Sequence, residues 1–137
     1  MNNLLTVRDI MDTRVPTLHP DTKILDAINF LLRNRVTGAP VISDFGELVG
    51  IVTETDCLKL IAKGLEAHIA QGPVSNFMST EVKTIQPHMD IYYAAGLFFQ
   101  YDFRRFPVVA EGKLVGAITR FDILRAIEAN RALVPGG

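Results

Sequence analysis

Val7-Arg8-Asp9-Ile10-Met11 and Val74-Ser75-Asn76-Phe77-Met78 are two versions of one stretch, 67 positions apart (74 against 7), and the likeness runs on for some fifty residues. At that offset Val15 meets Val82, Thr17 meets Thr84, Pro20 meets Pro87, Ile24 meets Ile91, Ala27 meets Ala94, and Pro40-Val41 meets Pro107-Val108. One residue drops out near Phe45. Beyond it, at an offset of 66 (114 against 48), Leu48-Val49-Gly50 aligns with Leu114-Val115-Gly116, Thr53 with Thr119 and Asp56 with Asp122. A fixed internal period is the mark of a duplicated structural unit.

The gap falls in a turn. Val41-Ile42-Ser43 and Leu48-Val49-Gly50-Ile51-Val52 read as short apolar strands joined by Asp44-Phe45-Gly46, and the second copy tightens the turn to Glu111-Gly112. Glycine suits the left-handed position such hairpins need, and one residue of loop length costs little. Helical periodicity precedes each hairpin, over Ile24 to Arg33 and Ile91 to Tyr101, and follows it, over Thr55 to Lys63 and Phe121 to Ala129. A short strand near Pro16-Thr17-Leu18 or Lys83-Thr84-Ile85 opens each copy, so the expected fold is α+β (α/β by some schemes), with β-α-β-β-α in each copy.

The expected organisation is copy 1 over residues 7–63, a linker over 64–73, copy 2 over 74–129 and a flexible tail over 130–137. Gly64, Gly72 and Pro73 break the linker, while Leu65 to Ala70 can add a helical turn. A unit of about sixty residues is marginal alone. The copies are therefore expected to pack as a pseudo-two-fold pair, with two related clefts between them as the place for ligand.

Composition narrows the function. Apolar residues make up 48% and charged residues 21%, an ordinary globular balance. Fourteen basic against fifteen acidic side chains leave a net charge of -1, which disfavours nucleic acid and anionic membranes as partners. Cys57 is the only cysteine, so no internal disulfide forms and a cytoplasmic location is expected. Met1 to Thr6 carries neither part of a signal peptide, and no apolar run approaches a membrane span. His19, His68 and His88 are scattered, which predicts no metal site, and no nucleophile triad, phosphate loop or paired-carboxylate site emerges to suggest an enzyme.

The ordered marks Val-Arg-Asp-Ile-Met at the start, Gly38-Ala39-Pro40-Val41 and Arg105-Phe106-Pro107-Val108 at the strand openings, and Gly50 to Asp56 and Gly116 to Asp122 at the ends resemble the CBS domain family, as the tandem pair called a Bateman module, over about Val7 to Ile127. The resemblance implies a regulatory module that binds AMP, ADP, ATP or S-adenosylmethionine, with or without Mg²⁺, needs no other cofactor, and passes occupancy to an unidentified partner protein in trans. It puts Thr53 and Thr119 near phosphate and Asp56 and Asp122 on ribose hydroxyls. Adenine is expected against Pro40 and Pro107, with backbone groups of Gly38, Ala39, Arg105 and Phe106 at its edge and Thr17 and Thr84 nearby.

The chemistry suits those roles independently. A Thr opening a helix lies beside free N–H groups, and an ionised Asp accepts from two hydroxyls at once. Thr-x-x-Asp is equally the pattern of a capping box, so a purely structural role stands beside the functional one. Glu54 follows Thr53, whereas Arg120 follows Thr119 and Arg104-Arg105 precede the second strand, which predicts the stronger site at Thr119 and Asp122. The helix Ile91 to Tyr101 holds more rings than one buried stripe needs. Since the family commonly associates through these helices, a homodimer is expected, with Tyr92 and Phe99 on its interface. The alternative is a ligand-free dimerisation or scaffold module.

Overall fold

The computed structural model describes residues 5–136. Met1–Leu4, read above for a leader, lie outside them, as does Gly137 of the tail. The chain divides into two compact units, one over Pro16–Val82 and the other from Lys83 onward together with the segment that ends at Val15.

In the first unit, helix α2 (Ile24–Asn34) follows the short entry helix α1 (Val7–Ile10) of the other unit in sequence. Its stripe Ile24, Ala27 and Leu31 is buried at helical spacing. Strands β1 (Gly38–Ile42) and β2 (Leu48–Thr53) pair antiparallel, Gly38 opposite Thr53 and Pro40 opposite Ile51, with a bulge at Val41/Ile42. Gly46, at φ 81°, closes the hairpin. Helix α3 (Glu54–Ala62) and a short turn of helix, α4 (Ala67–Ala70), complete the unit, α4 lying within the linker where one extra turn was expected. The core gathers Leu18, Ile24, Ala39, Val41, Val52, Cys57 and Leu60.

The second unit repeats this with α5 (Ile91–Gln100), β3 (Arg105–Ala110), β4 (Lys113–Thr119) and α6 (Arg120–Ala129). Arg105 pairs with Thr119 and Pro107 with Ala117. A 3-10 turn follows at Arg131–Leu133, in the stretch expected to be tail.

The opening strand of each copy is one bridge residue long. Leu18 N–H donates to Pro40 O and Ile42 N–H to Leu18 O, both at 2.9 Å, and Ile85 makes the same parallel bridge to Val108. Pro20 and Pro87 lack an N–H for a longer ladder.

The entry motifs are exchanged. Val7 is fully buried in the core of the second unit, with Ile85, Ala94, Phe98, Phe106, Val108 and Ile118. Val74 is fully buried in the core of the first. Each motif then bridges the free edge of its hairpin. Asp12 and Ala117 exchange two backbone bonds of 2.9 Å, as do Ser79 and Ile51. The glycine of each Leu-Val-Gly triplet makes that approach possible. A Cβ on Gly116 would stand 2.7 Å from Met11 Sδ and 2.8 Å from Asp12 O, and one on Gly50 would stand 2.6 Å from Met78 Sδ.

Candidate functional site

The residues singled out from the sequence gather at the two strand-to-helix junctions. Thr53 ends β2 with extended backbone and caps α3, and Thr119 ends β4 and caps α6 in the same conformation. Both are full capping boxes. At the first, Asp56 Oδ2 accepts from Thr53 N–H at 2.8 Å and from the Thr53 hydroxyl at 3.0 Å, while Asp56 N–H donates to Thr53 Oγ1 at 3.3 Å. At the second, Thr119 N–H donates to Asp122 Oδ2 at 2.8 Å and Asp122 N–H to Thr119 Oγ1 at 3.2 Å. The structural role of Thr-x-x-Asp is thus realised twice, and it holds one oxygen of each carboxylate.

The second oxygen distinguishes them. Asp122 Oδ1 accepts from Arg125 Nη2 at 2.6 Å. Asp122 is largely buried and Arg125 largely exposed. Asp56 Oδ1 has no such bond among the described residues, since Lys59 stands in the equivalent place. Arg125 was not singled out from the sequence, although its i,i+3 spacing from Asp122 on α6 is the signal that marks such a pair.

The strand openings lie beside these caps. Gly38 is the cross-strand partner of Thr53, Ala39 of Val52 and Pro40 of Ile51, while Arg105, Phe106 and Pro107 face Thr119, Ile118 and Ala117. Ala39 and Phe106 point into their cores, the Phe106 ring meeting Phe98 at 4.7 Å and Phe103 at 5.3 Å. Only their backbones remain for a ligand. Thr17 and Thr84 each precede a bridge residue, Leu18 or Ile85, bonded to Pro40 or Pro107. Thr17 also lines a groove of about 450 Å³ beside α2, with Thr22, Asp26 and Arg33.

Of the three arginines expected to help, Arg104 is exposed. Arg105 points Nη2 to within 3.7 Å of Asp12 Oδ2, and Arg120 reaches Asp102 at 3.4 Å while lying 6.0 Å from the centre of the Phe98 ring. Two of them therefore already face carboxylates, which a phosphate would have to displace.

Cys57 and His19 have local surroundings of their own. Cys57 is buried, and burial together with the neighbouring Asp56 carboxylate pushes its thiol above the ordinary value. A thiol kept neutral is a poor nucleophile. His19 accepts from Asp21 N–H on Nδ1 at 3.1 Å, which leaves Nε2–H to donate to Asp44 at 2.9 Å across the hairpin turn. Among the described residues no group of His, Cys, Asp and Glu could hold a metal ion, and no helix is long and apolar enough to cross a membrane.

The CBS domain model matches residues 7–63 and 74–129. YhcV of Bacillus subtilis, a CBS domain-containing protein, is 34% identical over 119 residues, which are 86% of this chain and 82% of that protein. The A-adding tRNA nucleotidyltransferase of Aquifex aeolicus is 32% identical over 124 residues, and the match spans only 14% of that much longer protein. It likewise spans 44% of the uncharacterised protein MJ1225 of Methanocaldococcus jannaschii. Among solved structures, CBSX2 in complex with AMP, from Arabidopsis thaliana, is 35% identical, with a TM-score of 0.80 over 92% of this chain and 98% of that one. The CBS domain pair of MJ0100, in complex with 5′-methylthioadenosine and S-adenosyl-L-methionine, is 25% identical with a TM-score of 0.75, over 92% and 98%. Two matched repeats, the paired hairpins and the twice-built junction together place this chain in the CBS domain family, as a tandem pair of CBS repeats.

Proposed function

We propose that this CBS pair binds an adenosine-containing ligand (AMP, ADP, ATP or S-adenosylmethionine) at its strand-to-helix junctions, transmits occupancy to a partner protein in the cytoplasm, and catalyses nothing itself. The observation that carries the reading is the Thr-x-x-Asp junction built twice, in a chain 35% identical to a CBS pair solved with AMP. Thr53 and Thr119 open helix N-termini, whose dipole favours phosphate, although Glu54 N–H at the first already donates to Thr37 O at 2.8 Å, and each Asp keeps lone pairs for ribose hydroxyls beyond its cap. Gly38 to Pro40 and Arg105 to Pro107, with Thr17 and Thr84, supply the adenine side. Arg104, Arg105 and Arg120 make the junction at Thr119 and Asp122 the stronger of the two, while Glu54 weakens the other. Mg²⁺ can accompany ATP by bridging its phosphates.

A second reading, a scaffold module without ligand, draws support from the capping boxes, which account for both Thr-x-x-Asp motifs as helix starts. Homodimerisation fits either reading. Leu25, Leu32, Leu58 and Ile61 are exposed in one unit, and Tyr92, Phe99, Phe121 and Leu124 in the other. Apolar side chains in such number on helices favour association.

The test is calorimetric titration of AMP, ADP, ATP and S-adenosylmethionine, with and without Mg²⁺, into wild type, Asp56→Asn and Asp122→Asn, alongside Thr53→Ala and Thr119→Ala. Losing a cap costs about 1 kcal/mol of stability whatever the ligand, so affinity and melting temperature separate the two roles. A sensor loses affinity chiefly in the Asp122 and Thr119 variants. A scaffold shows the stability losses alone.

A further inference from the structure

Arg105 and Asp12 make an ion pair whose counterpart the other unit lacks. Arg105 opens β3 opposite Thr119, its Nη2 is 3.7 Å from Asp12 Oδ2, and its Nε is buried with no hydrogen-bond partner among the described residues. A guanidinium has five donors in a rigid fork, so this one is far from satisfied by a single long contact. Asp12 is also the residue by which the entry segment bridges β4, through its two backbone bonds to Ala117. Its other carboxylate oxygen accepts Arg14 N–H at 2.9 Å, which orders the turn leading out of the segment.

The duplication supplies an internal control. In the other unit Ser79 stands at the place of Asp12 and makes the same two bonds to Ile51, but the place of Arg105 is taken by Gly38, which has no side chain. The backbone bridge belongs to both units, and the ion pair was added to one.

We propose that the Asp12–Arg105 pair is a latch through which ligand phosphate at the Arg105–Thr119 junction loosens the entry segment, an inference that rests on the nucleotide reading above. Phosphate oxygens and the Asp12 carboxylate compete for the same guanidinium. Phosphate brings more charge and can take the fork two bonds at a time, against one contact of 3.7 Å. Once Arg105 turns to the ligand, Asp12 keeps its backbone bridge but loses its counter-ion, and the segment is held by the packing of Val7, Ile10 and Met11 and by main-chain bonds. Coupling of this kind is reciprocal: removing the latch must tighten ligand binding by the factor by which ligand favours release. A half-exposed pair sets that factor at roughly two- to fivefold.

The experiment uses the full chain with AMP and ATP, and with S-adenosylmethionine, which carries no phosphate, as the control ligand. Affinity is measured calorimetrically for wild type, Asp12→Asn and Asp12→Ser, the serine being what Ser79 supplies in the other unit, and hydrogen exchange is followed at the Asp12 and Ala117 amides. Both variants should bind AMP and ATP roughly two- to fivefold more tightly and S-adenosylmethionine no differently. AMP and ATP should speed exchange at the two amides in wild type by a similar factor, S-adenosylmethionine should not, and the variants should stay unchanged. If wild type binds AMP or ATP but the variants bind them no more tightly and the amides do not respond, or if S-adenosylmethionine alone binds, the latch is refuted and the adenosine-ligand reading stands. If none of the three ligands binds wild type, both fall together.

Discussion

Replacing Gly116 with alanine puts a methyl group where the entry segment crosses β4. The new Cβ would lie 2.7 Å from Met11 Sδ, 3.1 Å from Met11 Cγ and 2.8 Å from Asp12 O. The thioether can turn away. The carbonyl cannot, because Ala117 N–H donates to it at 2.9 Å and Asp12 N–H returns the bond to Ala117 O at the same distance. Overpacking of this kind costs about 1–3 kcal/mol, and weakening two bridge bonds worth about 1 kcal/mol each brings the expected loss to about 2–4 kcal/mol. At roughly 3 °C per kcal/mol for a chain of this size, the melting temperature should fall by about 6–12 °C. Gly96→Ala in the same protein is the control. Gly96 lies within α5 with nothing inside 4 Å of its would-be Cβ, so the same added methyl should stabilise by about 0.5–1 kcal/mol through helix propensity. Urea unfolding of both variants reads the difference directly. A Gly116→Ala protein as stable as wild type would refute the account of why the Leu-Val-Gly triplet ends in glycine, and with it the tight seating of the entry segment.

Two further outcomes are expected. Phe99 is 95% exposed on α5, and if it lies on a dimer surface then Phe99→Asp should shift sedimentation equilibrium toward monomer without lowering monomer stability; an unchanged molar mass would remove Tyr92 and Phe99 from the interface. Because burial raises the Cys57 thiol, its thiolate fraction at neutral pH is smaller than that of a free cysteine, so iodoacetamide should alkylate it slowly in the native protein, faster as pH rises and rapidly in denaturant. Fast native alkylation at neutral pH would contradict its buried placement.

Much of the architecture was legible from periodicity. The helix expected over Ile24 to Arg33 runs Ile24–Asn34, and the one expected over Phe121 to Ala129 runs Arg120–Ala129. Their apolar stripes recur at helical spacing, and the start of the second is marked by the local Thr119–Asp122 cap, whereas at the start of the first Ile24 N–H finds a distant partner, Gly72 O, at 3.1 Å. The cross-strand placement of Gly38 by Thr53 and of Arg105 by Thr119 follows from hairpins whose short loops leave one register. The side-chain partners were harder to read. Arg105 facing Asp12 and Arg120 facing Asp102 join residues far apart in the chain, and a local pattern carries no information about such pairs.

The amino-acid sequence by itself determined the duplication, the order of elements within each copy, the caps at Thr53 and Thr119 and the family, because each rests on short-range spacing or on the repeat of that spacing. Only the tertiary structure decided which core each entry motif fills. Val7 and Val74 are near-identical plugs for near-identical sockets, so local preference cannot choose between them, and the choice falls to the course of the chain through Val15 and Val82. The same exchange brought Asp12 to Arg105, giving one unit an ion pair where the other has Ser79 and Gly38.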